Sequence, residues 1–132
     1  MEADLRTILD YDPNNATTLN ALGYALTNST DRYEEAANLI EQALRLSPGD
    51  AAILDSLGWV YFKLGKLSEA RQLLSQAYNI LPEPEVAAHL GETLWALDEQ
   101  EQAQRIWYRV LRADPQNPYV LDVLDRLDVN SL

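Results

Sequence analysis

Apolar residues recur at steps of three and four along most of the chain, and short polar or proline-bearing stretches break the rhythm at regular intervals. Residues so spaced share one side of an α-helix, so each run between breaks reads as a helix with one packed side. Eight helices are predicted, near 2–11, 16–28, 33–46, 51–63, 68–80, 84–96, 101–113 and 118–128. The breaks carry suitable chemistry. Asp12-Pro13 ends the first helix, and Asn28-Ser29-Thr30-Asp31-Arg32 makes a lengthened polar loop. Gly65 can take the left-handed conformation that stops a helix, with Ser68 and Glu69 suited to the next helix start. Pro82-Glu83-Pro84 gives a tight entry with Pro84 in a first turn, and Asp98 stands where a neighbouring turn has glycine.

The helices pair, and the pairs repeat about every 34 residues. Gly23, Gly58 and Gly91 each follow a leucine in the first helix of a pair, and Ala36, Ala70 and Ala103 come 13, 12 and 12 residues later. Pro48, Pro82 and Pro115 close each unit 12 residues beyond the alanine. The middle unit reads Leu54-x2-Leu57-Gly58-x2-Tyr61, then Ala70-x3-Leu74, Ala77 and Pro82. Glycine and alanine let two antiparallel helices approach closely, and larger apolar residues fill the space beside them. Proline ends the second helix because it lacks an N–H and disfavours helical geometry in the residue before it.

This pattern resembles the tetratricopeptide repeat, with Leu54 where tryptophan is common. The resemblance implies an all-α fold, a right-handed α–α superhelix of about three complete repeats plus a half repeat and a C-terminal capping helix. Residues 1–132 then form a single domain: 1–12 the second helix of an incomplete repeat, 13–48, 49–82 and 83–115 complete repeats, and 116–132 the cap. Leu5, Ile8 and Leu9 match second-helix positions without a first helix before them, so the chain reads as a piece of a longer array. In the last helix Val120, Leu121, Val123, Leu124 and Leu127 oppose Asp122, Asp125, Arg126 and Asp128. One packed side and one wet side suit the end of a solenoid.

Composition narrows the function by exclusion. The chain has no cysteine, so disulfides, thiolate metal sites and cysteine nucleophiles are absent. Its formal charge is −11, from 21 acidic and 10 basic residues, which repels nucleic-acid phosphate. The two lysines, Lys63 and Lys66, build no basic groove, and cationic or neutral protein partners fit better. No apolar run approaches the ~18 residues of a membrane helix, so no direct membrane insertion is expected. Met1-Glu2-Ala3-Asp4 lacks the basic and apolar regions of a secretion signal. His89 is the single histidine, so no multi-histidine metal site exists and no nucleophile–His–carboxylate set is spelled out. Glu34-Glu35, Glu83 with Glu85, and Asp98-Glu99 lie at turns and helix starts, where they favour the helix dipole. No glycine-rich phosphate loop occurs. The expectation is a non-enzyme without cofactor or metal.

In tetratricopeptide folds the first helix of each unit lines the concave face. Alignment on the glycines then turns inward Asn20, Tyr24 and Thr27 from the first unit, Asp55, Trp59, Phe62 and Lys63 from the second, and His89, Glu92 and Trp95 from the third. Tyr24, Trp59, Phe62 and Trp95 make an aromatic stripe with polar neighbours, the usual composition of a protein-binding hot spot. Trp59 and Tyr24 directly follow their glycines and are assigned to the groove; Phe62 stands between groove and core. The one-residue deletion before Gly91 leaves the register of Trp95 open, while Tyr61 and Trp107 are assigned to the core. On this assignment Trp59→Ala weakens binding and leaves melting nearly unchanged. The groove that grips the acidic tails of heat-shock chaperones needs lysine, arginine and asparagine; the matching places hold Asn20, Tyr24, Ser56, Glu85 and His89, so that tail is not expected.

Leu19-Asn20-Ala21-Leu22-Gly23-Tyr24, Asp55-Ser56-Leu57-Gly58-Trp59-Val60-Tyr61 and Ala87-Ala88-His89-Leu90-Gly91-Glu92 resemble the C-terminal repeats of proteobacterial tetratricopeptide proteins. Many of these are envelope lipoproteins tethered to the outer membrane, and one partners a periplasmic carboxyl-terminal processing protease. The resemblance implies a parent chain of that kind facing the periplasm; the residues at hand leave a cytoplasmic location open. Two functions follow as expectations. The first is an adaptor that binds a protein or peptide along the concave face. The second is a structural solenoid segment that self-associates through Leu5, Ile8 and Leu9.

Overall fold

A computed structural model describes residues 1–129 of the chain. Among them lie α1 (Glu2–Tyr11), α2 (Ala16–Ser29), α3 (Tyr33–Leu46), α4 (Ala51–Lys63), α5 (Leu67–Ile80), α6 (Pro84–Ala96), α7 (Gln100–Ala113) and α8 (Pro118–Arg126), with no strand. Helix bounds follow the expected ones within two residues. Ser68 is the exception in kind: α5 starts a residue early, so Ser68 lies within its first turn and Lys66 precedes the helix without a side-chain cap. α8 ends at Arg126 because Asp128 turns left-handed, with φ 58°; residues 130–132 of the expected cap lie outside the described residues. Gly65 and Asp98 take the left-handed turns assigned to them, at φ 80° and 67°.

Three of the first helices start from a Pro-x-Asx loop. Asn15 Oδ1 accepts the Thr18 N–H at 3.0 Å, Asp50 Oδ1 those of Ala52 and Ile53, and Asn117 Oδ1 those of Tyr119 and Val120. Each side chain satisfies backbone donors that a helix start leaves free. At α6 the Pro84 ring takes that place, because a first-turn proline has no N–H to satisfy.

Within each pair the helices meet on the predicted small residues. A Cβ at Gly58 would lie 2.6 Å from Leu74 Cγ, one at Gly91 would overlap the Trp107 indole, and one at Gly23 would overlap Ile40 and lie 2.9 Å from the Ala36 carbonyl. Ala36, Ala70 and Ala103 are fully buried opposite these glycines, as are Ile40, Leu74 and Trp107. The core forms three buried clusters joined by half-buried side chains, with Tyr61 touching the two larger ones. Trp107 is fully buried, as assigned. Tyr61 is only half-buried, and its hydroxyl donates to Glu41 at 2.8 Å. Burial and that carboxylate push its pKa up to about 12.

At the N-terminal end the expected apolar patch is smaller than Leu5, Ile8 and Leu9 together. Leu5 and Leu9 pack into the α2–α3 core, which leaves Ile8, 43% exposed, beside Tyr11 at 89%. Charges tie α1 to the next pair. Arg6 donates to Glu2 at 2.9 Å and to Glu35 at 2.6 Å, and Arg32 donates to both carboxylates at 2.7–3.2 Å. At the other end α8 rests mainly on α6 and lightly on α7, whereas α4 and α6 rest mainly on the second helix before them. That tilt brings α8 to the inner side of the curve.

Two predictions follow from this packing. Gly23→Ala should destabilise the fold by about 1–3 kcal/mol, read as a lower melting temperature, because a backbone carbonyl faces the new methyl and cannot rotate away. The Arg32 and Arg6 guanidinium groups hold Glu2 and Glu35 below the ordinary value of 4.5. A carboxyl lowered in the fold stabilises it above its unfolded pKa and ceases to as pH falls through the folded one. The protection factors of α1 amides, measured against the intrinsic exchange rate at each pH, should therefore fall as pH drops below 4.5, while those of α4 and α6 hold.

Candidate functional site

The inner wall of the curve is built by the first helices α2, α4 and α6, joined by α8. Glycine and leucine turn one side of each first helix toward its partner, so the residues one step on, such as Tyr24 and Trp59, rotate inward. A groove of about 330 Å³ opens there, bordered by Tyr24, Asn28, Trp59, Glu85, His89 and Glu92 and by Tyr119, Asp122, Val123 and Arg126 of α8.

Most groups on this wall hold one another. The Tyr24 hydroxyl donates to Glu85 at 2.5 Å, linking α2 to α6 across α4. Burial first, and then the Glu85 carboxylate, push the Tyr24 phenol well above its ordinary pKa, so it stays a donor. Asp55 lies 2.9 Å from His89 Nδ1, and a carboxylate there fixes the N–H on that nitrogen. Trp59 Nε1 donates to Asn28 at 3.1 Å. Its ring stacks on His89 at 4.1 Å and on Phe62 at 5.0 Å, and the Lys63 ammonium lies 4.8 Å from its centre. Arg126 grips Glu92 through both terminal nitrogens at 2.9 and 3.1 Å and reaches Asp122 at 2.9 Å. The Glu92 carboxylate, followed by Asp122, raises the Arg126 pKa, and α8 is thereby fastened to α6.

The sequence therefore names a set that the fold brings together only in part. Tyr24, Trp59, His89 and Glu92 border the groove; Asp55 lies beneath His89, and Phe62 and Lys63 flank Trp59. Trp59 is not a free aromatic: it is 6% exposed, and His89 is 8% exposed. Thr27 is buried and donates to the Gly23 carbonyl at 2.8 Å, which removes it from the inner surface. Asn20 is half-buried with its Oδ1 unpaired, outside the groove. Trp95 packs against Trp107 at 5.7 Å in the last core cluster, also away from the groove. Sequence reasoning missed the α8 side, although the 34-residue spacing carried the signal. One period beyond Glu85, Ala88, His89 and Glu92 stand Tyr119, Asp122, Val123 and Arg126.

Tetratricopeptide-repeat family models match residues 2–51 and 29–88, two overlapping windows that together cover the first two-thirds of the chain. The chain is built of tetratricopeptide repeats. A tetratricopeptide-repeat protein of Pseudomonas aeruginosa is 53% identical over 92 residues, covering 70% of this chain and 16% of that protein. Bacteriophage adsorption protein A of Escherichia coli is 39% identical over 62 residues, 47% of this chain and 6% of its own length. The chain thus spans a small part of these relatives. Among solved structures, a Thermus thermophilus tetratricopeptide protein superposes with a TM-score of 0.77 at 24% identity, over 95% of this chain and 68% of its own. The tetratricopeptide domain of Arabidopsis OM64 gives 0.73 at 18% identity, over 86% and 93%. Such neighbours establish the solenoid, a fold typical of non-enzymatic protein-interaction scaffolds.

In a tetratricopeptide solenoid with its inner wall this tightly paired, Trp59 carries stability. Trp59→Ala should destabilise by about 3–5 kcal/mol in thermal melts, the range for a buried large aromatic. Trp59→Phe keeps a stacking ring and loses the bond to Asn28, so it should cost about 1 kcal/mol.

Proposed function

We propose that this chain is a non-catalytic scaffold that holds a protein or peptide segment in the groove between α2, α4, α6 and α8. The observation that carries the reading is the groove itself. At about 330 Å³ it falls within the ~300–1,000 Å³ common for ligand sites. Its rim offers Tyr119, Asn28 and Asp122, all exposed, around a floor fixed by mutual hydrogen bonds. A wall whose polar groups are already held loses little freedom when a partner settles on it. Tyr119 is the anchor of choice, an exposed tyrosine at the mouth whose helix is capped by Asn117. Asn20, Asp55, Phe62, Lys63 and Trp95 support the wall or stand beside it in this reading.

For the partner, the motif resemblance suggests a protease of the periplasmic carboxyl-terminal processing class, with the parent chain as its adaptor. The 53% identity to the Pseudomonas aeruginosa protein fits a bacterial parent chain. A second reading, a solenoid segment that self-associates, rests on Ile8 and Tyr11. Ile8→Asp with Tyr11→Asp should shift any dimer to monomer in sedimentation, and a wild-type chain already monomeric at high concentration would count against it.

The groove reading is tested with peptides selected on the wild-type chain from a random library. Tyr119→Ala should weaken them about tenfold, the loss of a modest hot spot, with melting unchanged. Selected peptides indifferent to both Tyr119→Ala and Asp122→Asn would remove the groove as the binding site.

A further inference from the structure

On the side of α7 that faces away from the groove, three arginines stand in a row. Arg105, Arg109 and Arg112 are spaced by four and three residues, so one side of the helix presents all of them. With Tyr108 and Ala113 they border a cleft of about 540 Å³. Tyr108 is 49% exposed, and the Arg112 guanidinium lies 5.8 Å from its ring centre. The chain has 10 basic residues against 21 acidic, so three arginines on one surface stand out.

The fold does not ask for them. The matching positions of α5, set by aligning Leu74 with Trp107, hold Gln72, Ser75, Gln76 and Asn79; those of α3 hold Asn38, Glu41, Gln42 and Arg45. Those helices pack with a single basic residue, Arg45, among the eight outside positions, against three on α7. The arginines are also little used internally. Arg6, Arg32, Arg71 and Arg126 each bind a carboxylate across helices, whereas Arg105 meets only Glu101 on its own exposed turn, at 2.7 Å. Arg109 and Arg112 pair with no carboxylate among the described residues.

We propose that this face of α7 is a second binding surface, for an extended acidic segment of a partner protein with carboxylates on alternate residues. The spacing fits. Along the helix axis Arg105 and Arg109 are separated by about 6 Å and Arg109 and Arg112 by about 4.5 Å, which long side chains can widen to the ~6.6 Å between alternate side chains of an extended chain. Guanidinium forks take carboxylates through paired bonds, and the half-exposed Tyr108 ring offers an apolar contact between them. A short segment senses the local arginines, because charges beyond about 8 Å are screened at physiological salt. A bilayer or duplex, densely charged over a wide area, meets the net −11 of the whole chain. That difference selects an acidic peptide as the occupant. The surface is separate from the concave groove, and the proposal stands or falls independently of it.

The test uses the 132-residue chain and a fluorescein-labelled hexapeptide alternating Glu and Ala, with fluorescence anisotropy as readout. Arg109→Gln with Arg112→Gln should weaken binding about tenfold or more without lowering the melting temperature. Arg45→Gln with Lys66→Gln removes the same two charges elsewhere and should change affinity less than about twofold. A Gln-Ala hexapeptide should not bind. Equal losses in both double variants would reduce the effect to overall charge and overturn the proposal. So would the absence of binding at millimolar peptide, or tighter binding to phosphatidylglycerol vesicles or to single-stranded DNA than to the peptide.

Discussion

At Gly23, Gly58 and Gly91 the paired helices lie so close that no side chain fits between them, and each approach is completed by a buried residue of the second helix: Ile40, Leu74 and Trp107. The distance between the two helices of a pair sets how their outer residues meet the next pair, and hence the curve of the stack. The filling residue grows along the chain from isoleucine to tryptophan while the glycine stays. The close approach is therefore the constant, and the side chain opposite adapts to the space that remains.

That curvature explains the character of the inner wall. Because the first helices converge on the concave side, residues one repeat apart come within hydrogen-bonding distance. Asp55 meets His89, and Glu92 meets Arg126, each pair separated by 34 positions in the chain. The wall thus buries carboxylates, an imidazole and an indole without leaving them unsatisfied, which is the condition for burying polar groups at all. A surface so constructed is rigid in its floor and adaptable only at its rim. The outer side of α7 is built on the opposite plan, with arginines that find little to bind within the molecule.

The helices and their pairing were legible because they depend on local rules. A leucine–glycine step, an alanine 12 or 13 residues on, and a closing proline report on neighbours along the chain, and each met its expected partner. The candidate site was legible only in its membership. Tyr24, Trp59, His89 and Glu92 do line the inner wall, yet Trp59 is covered, because His89, Phe62 and Asn28 reach it from three directions. Thr27 and Trp95 each stand four residues past their glycine, a helical step that turns Thr27 into the buried seam and the Trp95 ring toward Trp107.

The amino-acid order alone determined the eight helices, their grouping into pairs, and the small-residue contacts that hold each pair, since all of these arise from spacing within a few turns. Tertiary structure decided which inward groups remain open to a partner. It also swung α8 against α6, where Arg126 and Tyr119 complete the groove. The reason is geometric: the angle between successive pairs is a sum over many packed side chains, and a small rotation decides whether the exposed Arg126 reaches the buried Glu92.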